Sequence, residues 1–134
     1  MKSISVRTVR RTEMIDITGR IQAAVQESRL QDGMCLVFVP HTTAAVTINE
    51  NADPAVAGDI LMGLQKLIPC DDPQYRHAEG NSDAHLKTSL VGSSEMVPVE
   101  NGRLVLGTWQ SLFFCEFDGP RTRKVLVKTF GCLP

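Results

Sequence analysis

Net charge is what this chain most conspicuously lacks: 14 Lys and Arg stand against 15 Asp and Glu in 134 residues, a formal charge of -1. Without a basic surplus there is no electrostatic footprint for nucleic acid. Long apolar runs are missing as well. The opening "MKSISVRTVRRTEMIDITG" alternates charged and apolar residues, so it offers neither a signal-peptide core nor a membrane span, and it reads as an opening strand. The four cysteines, Cys35, Cys70, Cys115 and Cys132, form no CxxC pair, which excludes zinc ribbons and thioredoxin-like motifs by spacing. Cys35 and Cys115 lie in apolar, strand-like runs where cysteine is a small buried hydrophobe. Reduced thiols in a cytoplasmic protein are the expectation. No GxSxG, Walker A or GxGxxG pattern occurs, which leaves serine-hydrolase and nucleotide-fold readings without support. No repeat, low-complexity tract or Pro/Ser-rich linker divides the sequence. A single domain over 1–134 follows, large enough to bury roughly two thirds of the surface its unfolded form exposes.

The apolar residues that are present fall into two periods. "IDITGRIQAAVQESRLQDG" predicts an amphipathic helix, with Thr18 as cap, Ile21, Ala24, Val25 and Ser28 on one face, and Gly33 after its end. "NADPAVAGDILMGLQKLIP" predicts another, capped by Asp53 with Pro54 at the first position, carrying Val56, Ile60, Leu64 and Leu67 at helical spacing and stopped by Pro69. A short helix is expected from about Asp83 to Val91. "CLVFVP", "AAVTINE", "EMVPVE", "NGRLVLGTWQSLFFCEF" and "KVLVKTF" have strand composition. Asn101-Gly102 marks a hairpin, because both residues tolerate positive φ, and "DGPRTR" joins the last two strands. Strands outnumber helices, so the fold class is α+β built on antiparallel sheets, a sandwich, rather than a doubly wound parallel sheet.

The titratable groups concentrate in one stretch. "HAEGNSDAHLK", residues 77–87, holds two of the three histidines, and His41 sits in "PHTTA". Strand parity from Cys35 puts His41 on the face of Val37 and Val39, and parity in the later strand puts Glu116 with Leu112 and Phe114. A carboxylate on an apolar face has a raised pKa unless a cation or metal lies beside it. His77 and His85, eight apart across a glycine-containing turn, lack the fixed geometry of an i, i+4 pair. Together with His41, and with Glu79, Asp83 and Glu116 as further donors, they would make a three-histidine site with an open position, the pattern of catalytic zinc. The competing reading is a solvated His77 and a His85 that packs or caps a helix. At the helix start, Ser82 and the free N–H groups could hold phosphate with Lys87 one turn on; Asp83 capping the helix and pairing with Lys87 needs no ligand. Arg121, Arg123 and Lys124 form a basic turn of the kind that is ordinarily solvated. Thr42, Thr43, Thr108 and Gln110 suit strands, and Trp109 suits core or interface. Cys70 and His77 suggest a nucleophile pair, yet nothing around Cys70 marks an activated thiolate.

Three blocks, "HTTAAVTINENADP", "HAEGNSDAHLKTSLVGSS" and "VPVENGRLVLGTWQSLFFCEFDGPRTRKVLV", resemble the signature segments of the YjbQ-like family, also called secondary thiamine-phosphate synthases. The resemblance implies a β-sandwich of about seven strands with two or three inserted helices, assembled as a homotrimer. It implies a pocket gathering His41, His77, Asp83, His85 and Glu116 around a divalent metal, zinc by expectation, with magnesium an option alongside diphosphate. The activity implied joins a pyrimidine methyl diphosphate to a thiazole phosphate and releases diphosphate. In that scheme His41, His77 and His85 hold metal, Glu116, Asp83 and His41 serve the chemistry, and Lys87, Ser82 and Arg121 bind phosphate. The alternatives are a metal-dependent hydrolase of a small phosphorylated metabolite and a trimeric metabolite-binding protein without turnover.

Overall fold

The computed structural model describes residues 1–131, so Cys132 lies outside the described residues. In chain order the elements are β1 (Lys2–Arg7), β2 (Glu13–Asp16), α1 (Thr18–Ser28), β3 (Gly33–Phe38), β4 (Ala44–Glu50), α2 (Pro54–Leu67), α3 (Ser82–Val91), β5 (Ser94–Glu100), β6 (Arg103–Leu104), β7 (Gln110–Glu116) and β8 (Thr122–Gly131). The strands form two antiparallel sheets, β1-β8-β3-β5-β6 and β2-β7-β4. This is the expected α+β sandwich, with eight strands among the described residues where about seven were anticipated.

The main core lies between the sheets. Ile4, Val6, Cys35, Val37, Val97, Val99, Val125 and Val127 come from one, and Ala44, Val46, Leu112 and Phe114 from the other; Ile21, Ala24 and Val25 of α1 join them. A second, smaller cluster covers the outer face of the three-stranded sheet: Ala45, Phe113 and Cys115 pack with Ala84 of α3, and Leu61 and Leu64 of α2 close over them. This explains the unbroken apolar run Leu112–Cys115. A strand covered on both faces has no polar side to alternate with, and burying a side chain such as Phe113 rather than leaving it wet contributes about 1.5–3 kcal/mol.

Several boundaries differ from the sequence expectation for local reasons. The opening stretch is two strands in different sheets. Between them the Glu13 carboxylate accepts the N–H groups of Val9 and Arg10 at 2.7 and 2.8 Å and holds a turn. Thr18 does not cap α1. Ile17 occupies that position with its side chain buried, and Thr18 Oγ1 instead accepts the Leu112 N–H at 2.8 Å, tying the helix start to β7. The helix ends at Arg29 in the left-handed region (φ 61°), leaving Gly33 to open β3, where a Cβ would collide with the Phe130 carbonyl oxygen. The long segment expected after Asn101-Gly102 is split: β6 ends at Leu104, a turn closed by the Gly107 N–H on Gln110 Oε1 follows, and β7 resumes in the other sheet. Asn101 and Gly102 do have positive φ, 53° and 74°, in the hairpin that pairs Glu100 with Arg103. Asp53 caps α2 as expected, accepting the Ala55 N–H at 2.9 Å.

Candidate functional site

Beyond β3 the chain turns away from the sheet at Pro40, and what it leaves behind organises one end of the sandwich. The register that pairs Phe38 with Leu126 would put Pro40 opposite Lys124. There the ladder has ended, and His41 takes over: its Nε2 accepts the Lys124 N–H at 2.9 Å. One residue earlier on β8, Arg123 follows the parity of Val125 and Val127 into the interior and is 3% exposed. It meets Glu116, whose carboxylate is fully buried at the end of β7 in the opposing sheet. Glu116 Oε1 accepts from Thr8 Oγ1 at 2.8 Å and from Arg123 Nε at 2.9 Å; Oε2 accepts from Arg123 Nη2 and from the Asp118 N–H. Arg123 Nη2 also donates to Thr43 Oγ1 at 2.9 Å, which fixes the loop carrying His41. Burial pushes the Glu116 carboxyl upward, but the Arg123 and Thr8 hydrogen bonds outweigh it and hold the pKa below 4.5. The group expected as a proton-transfer base is thus an ion enclosed by four donors. Arg123, expected in a solvated turn, is its buried partner.

Asp83 is placed in a parallel way. It is fully buried, Arg11 donates to both its oxygens at 2.9 and 3.0 Å, and Lys87 Nζ donates to Oδ2 at 3.1 Å and to Gln65 Oε1 at 2.9 Å. Burial raises its pKa, yet the Arg11 and Lys87 hydrogen bonds bring the net shift below 3.8. The pairing of Asp83 with Lys87 needs no ligand, and Lys87, itself 1% exposed, anchors α3 to α2 rather than facing an open cleft. Asn81, not Asp83, stands at the cap position.

Two adjoining clefts open beside this end. His41, Thr42 and Ser93 line both. One, about 470 Å³, continues to Phe38, Thr43, Arg121 and Arg123; the other, about 310 Å³, continues to His85, Thr88, Ser89 and Gly92. His85 also lines a third cleft with His77, Ser82 and Arg76. The His77 and His85 rings meet edge to face with centroids 5.3 Å apart. The fold therefore brings His85 together with both other histidines, but by separate clefts. Among the described residues no three His, Cys, Asp or Glu side chains lie close enough to hold a metal ion, so the expected three-histidine zinc site is not assembled within one chain. Burial, and then the charge of Arg123, hold the His41 pKa below 6.5 against the opposing pull of Glu116. Arg121, expected at phosphate, lines the larger cleft with its guanidinium tied to Asp118 at 2.7 Å. Ser82 opens only on the His77 side.

The sequence reading missed Thr88, Ser89 and Ser93. Thr88 and Ser89 stand three and four residues after His85, so helical spacing alone places them beside it. The Thr88 hydroxyl is buried with no hydrogen-bond partner.

Comparison with known proteins agrees with this geometry at the level of the whole chain. The family model described as "UPF0047 protein YjbQ-like" matches residues 2–132. The UPF0047 protein YugU of Bacillus subtilis is 51% identical over 131 residues, covering 98% of this chain and 99% of that protein. A UPF0047 protein of Methanocaldococcus jannaschii is 52% identical over 126 residues, covering 94% and 91%. Among solved structures, an uncharacterized conserved protein of the YjbQ/UPF0047 family from Clostridium acetobutylicum superposes with a TM-score of 0.95 at 54% identity, over 97% of this chain and 100% of that one. A hypothetical protein from Aeropyrum pernix gives 0.92 at 39% identity, over 97% of each chain.

Proposed function

This chain belongs to the UPF0047 YjbQ-like family, and we propose that it is a cytoplasmic homotrimeric transferase with secondary thiamine-phosphate synthase activity. The observation that carries the reading is the pair of clefts sharing His41, Thr42 and Ser93, which run from Arg121 and Arg123 to His85, Thr88 and Ser89. Such a groove offers hydroxyl, imidazole and guanidinium groups to a phosphorylated compound, and the nearby carboxylates of Glu116 and Asp118 are each bound by an arginine, so they do not repel an anion. The reaction suits that lining. The thiazole nitrogen forms a C–N bond to the pyrimidine methylene carbon as the C–O bond to diphosphate breaks, and the electron pair leaves with the diphosphate. No proton must be taken from carbon, so the enclosed carboxylates are not required as bases. What the step needs is hydrogen-bond donors on the departing oxygens. Magnesium carried in on the diphosphate would supply further charge neutralisation.

Subunit association is supported by apolar side chains left exposed on one face. Phe38, Met96 and Phe130 stand on the outer side of the five-stranded sheet at 41%, 50% and 42% exposure, and Phe38 also borders the larger cleft. A neighbouring subunit on that face would wall the groove and bury the patch. Zinc would then draw on ligands from more than one subunit, since among the described residues of one chain no three His, Cys, Asp or Glu side chains lie together.

The test is release of diphosphate from the two substrates by purified protein, with His85→Ala as comparison. Turnover that is lost in a folded His85→Ala protein supports the transferase. A wild-type protein that binds the diphosphate substrate without turnover supports instead a metabolite-binding protein.

A further inference from the structure

A backbone amide can only donate, and this settles more about His41 than its position does. The Lys124 N–H points at Nε2, so that nitrogen must present its lone pair. In a neutral imidazole one nitrogen accepts and the other carries the proton. From this hydrogen bond we infer that His41 is fixed as the Nδ1–H tautomer and acts as a neutral hydrogen-bond donor toward a phosphoryl oxygen in the groove, not as a metal ligand. Among the described residues Nδ1 has no protein partner, and it is not among the buried unpartnered atoms, so it remains accessible in a residue that lines both clefts.

The alternatives each break something. Binding a metal through Nε2 would displace the Lys124 amide. Binding one through Nδ1 would move the proton to Nε2 and set two N–H groups against each other. Protonation would do the same, beside the buried Arg123 guanidinium. The amide in question is at the point where β3 has left β8 without a partner, and no neighbouring strand residue can take it, because the ladder stops at Phe38. The same contact that finishes the sheet therefore selects the tautomer. Arg123, by holding Thr43, keeps the loop in register with β8 and acts as the positioning residue. A neutral donor is well suited to an oxygen on which negative charge grows during bond cleavage, since it stabilises that charge without needing to release a proton.

That His41 is the Nδ1–H tautomer stands alone; that its partner is a diphosphate oxygen rests on the proposed transferase reading. The chain has three histidines, so long-range ¹H–¹⁵N spectra of histidine-labelled wild-type protein can be assigned with single substitutions. Expected at neutral pH is a His41 ring with a lone pair on Nε2 and a proton on Nδ1, unchanged by added zinc and shifted at Nδ1 by inorganic diphosphate. His41→Gln, whose Oε1 can take the Lys124 N–H but which has nothing at the Nδ1 position, should keep its unfolding midpoint and bind diphosphate about 10- to 100-fold more weakly, the cost of one hydrogen bond to a charged group. An Nε2–H tautomer, an imidazolium at neutral pH, or a zinc-induced loss of the His41 signals would overturn the inference. Wild-type protein that binds no diphosphate, or His41→Gln that binds it as wild type does, would overturn the donor role. Diphosphate binding with the expected tautomer but no transfer activity would leave the inference standing and defeat only the transferase.

Discussion

The isosteric substitution Glu116→Gln isolates the electrostatics of the sandwich end from its packing. It removes no volume, so no cavity opens. The remaining oxygen can still accept from two donors, but the new amide group presents N–H to the Arg123 and Asp118 donors that Oε2 now satisfies. Arg123 is left as a buried charge without its counter-ion. Removing one partner of a buried ion pair costs about 3–5 kcal/mol. With a urea dependence of about 2 kcal/mol per molar, the unfolding midpoint should fall by roughly 2 M, measured at fixed chain concentration because association shifts the apparent stability. The pH dependence carries the sign. Glu116 has its folded-state pKa depressed below 4.5, so its stabilisation is fully present above that value and is lost as pH falls through the lower, folded-state one. Wild type should therefore weaken below about pH 5, while Glu116→Gln lacks this share of the dependence, and the two curves should converge in acid. Adding Arg123→Met to Glu116→Gln removes the stranded charge and should recover part of the loss. A midpoint indistinguishable from wild type at neutral pH, or a gap that stays constant from neutral pH down into acid, would refute the reasoning.

Asp83→Asn should behave alike for the same cause, stranding Arg11 and the buried Lys87, with a loss of about 3–5 kcal/mol in denaturant unfolding; a cost below about 1 kcal/mol would mean that solvent reaches the cluster. Gly33→Ala should destabilise by at least about 1–3 kcal/mol, since its Cβ would collide with the Phe130 carbonyl oxygen and separate β3 from β8; a thermal scan reads it directly. Desolvation pushes the Cys35 and Cys115 thiols up to about 11 and about 12. A thiol reagent in mildly alkaline buffer on native protein should then modify the partly exposed Cys70 before those two and reach them only on unfolding, as peptide mapping would show.

What the sequence disclosed was what period and local chemistry can encode. The second helix announced itself through Asp53, Pro54 and a regular apolar spacing, and the Asn101-Gly102 hairpin through two residues suited to positive φ; both depend on neighbours a few positions away. The breaks in the long strands were hidden because strand composition continues through them. "RLVLGTWQSLFF" reads as one extended run, and only the choice of a different sheet for each half, fixed by packing against distant strands, divides it. Parity did place Glu116 toward the interior, but it could not name Arg123 as the partner. That partner belongs to the opposing sheet, and its own basic turn looked solvated until the alternation with Val125 and Val127 was followed back one step.

The polar residues at this end of the sandwich have divided their tasks in a way that also accounts for the misread site. A carboxylate buried away from water is too costly unless its charge is met, so Glu116 between the sheets and Asp83 in the first turn of α3 are each enclosed by cations, and in being enclosed they lose the free lone pairs that would serve as base or ligand. Asp83 and Lys87, from the stretch where titratable residues cluster in sequence, thus became an interior ion pair, as did Glu116 and Arg123, while groups with less conspicuous signals, the hydroxyls of Thr42, Ser89 and Ser93 and the second nitrogen of His41, were left facing the groove. The geometry makes the ion pairs the frame and the neutral groups the lining. An anion entering the groove would meet donors held in place by charges that are already paired, which is the condition under which a hydrogen bond to a growing negative charge gains most, because the donors need not reorient as the charge develops.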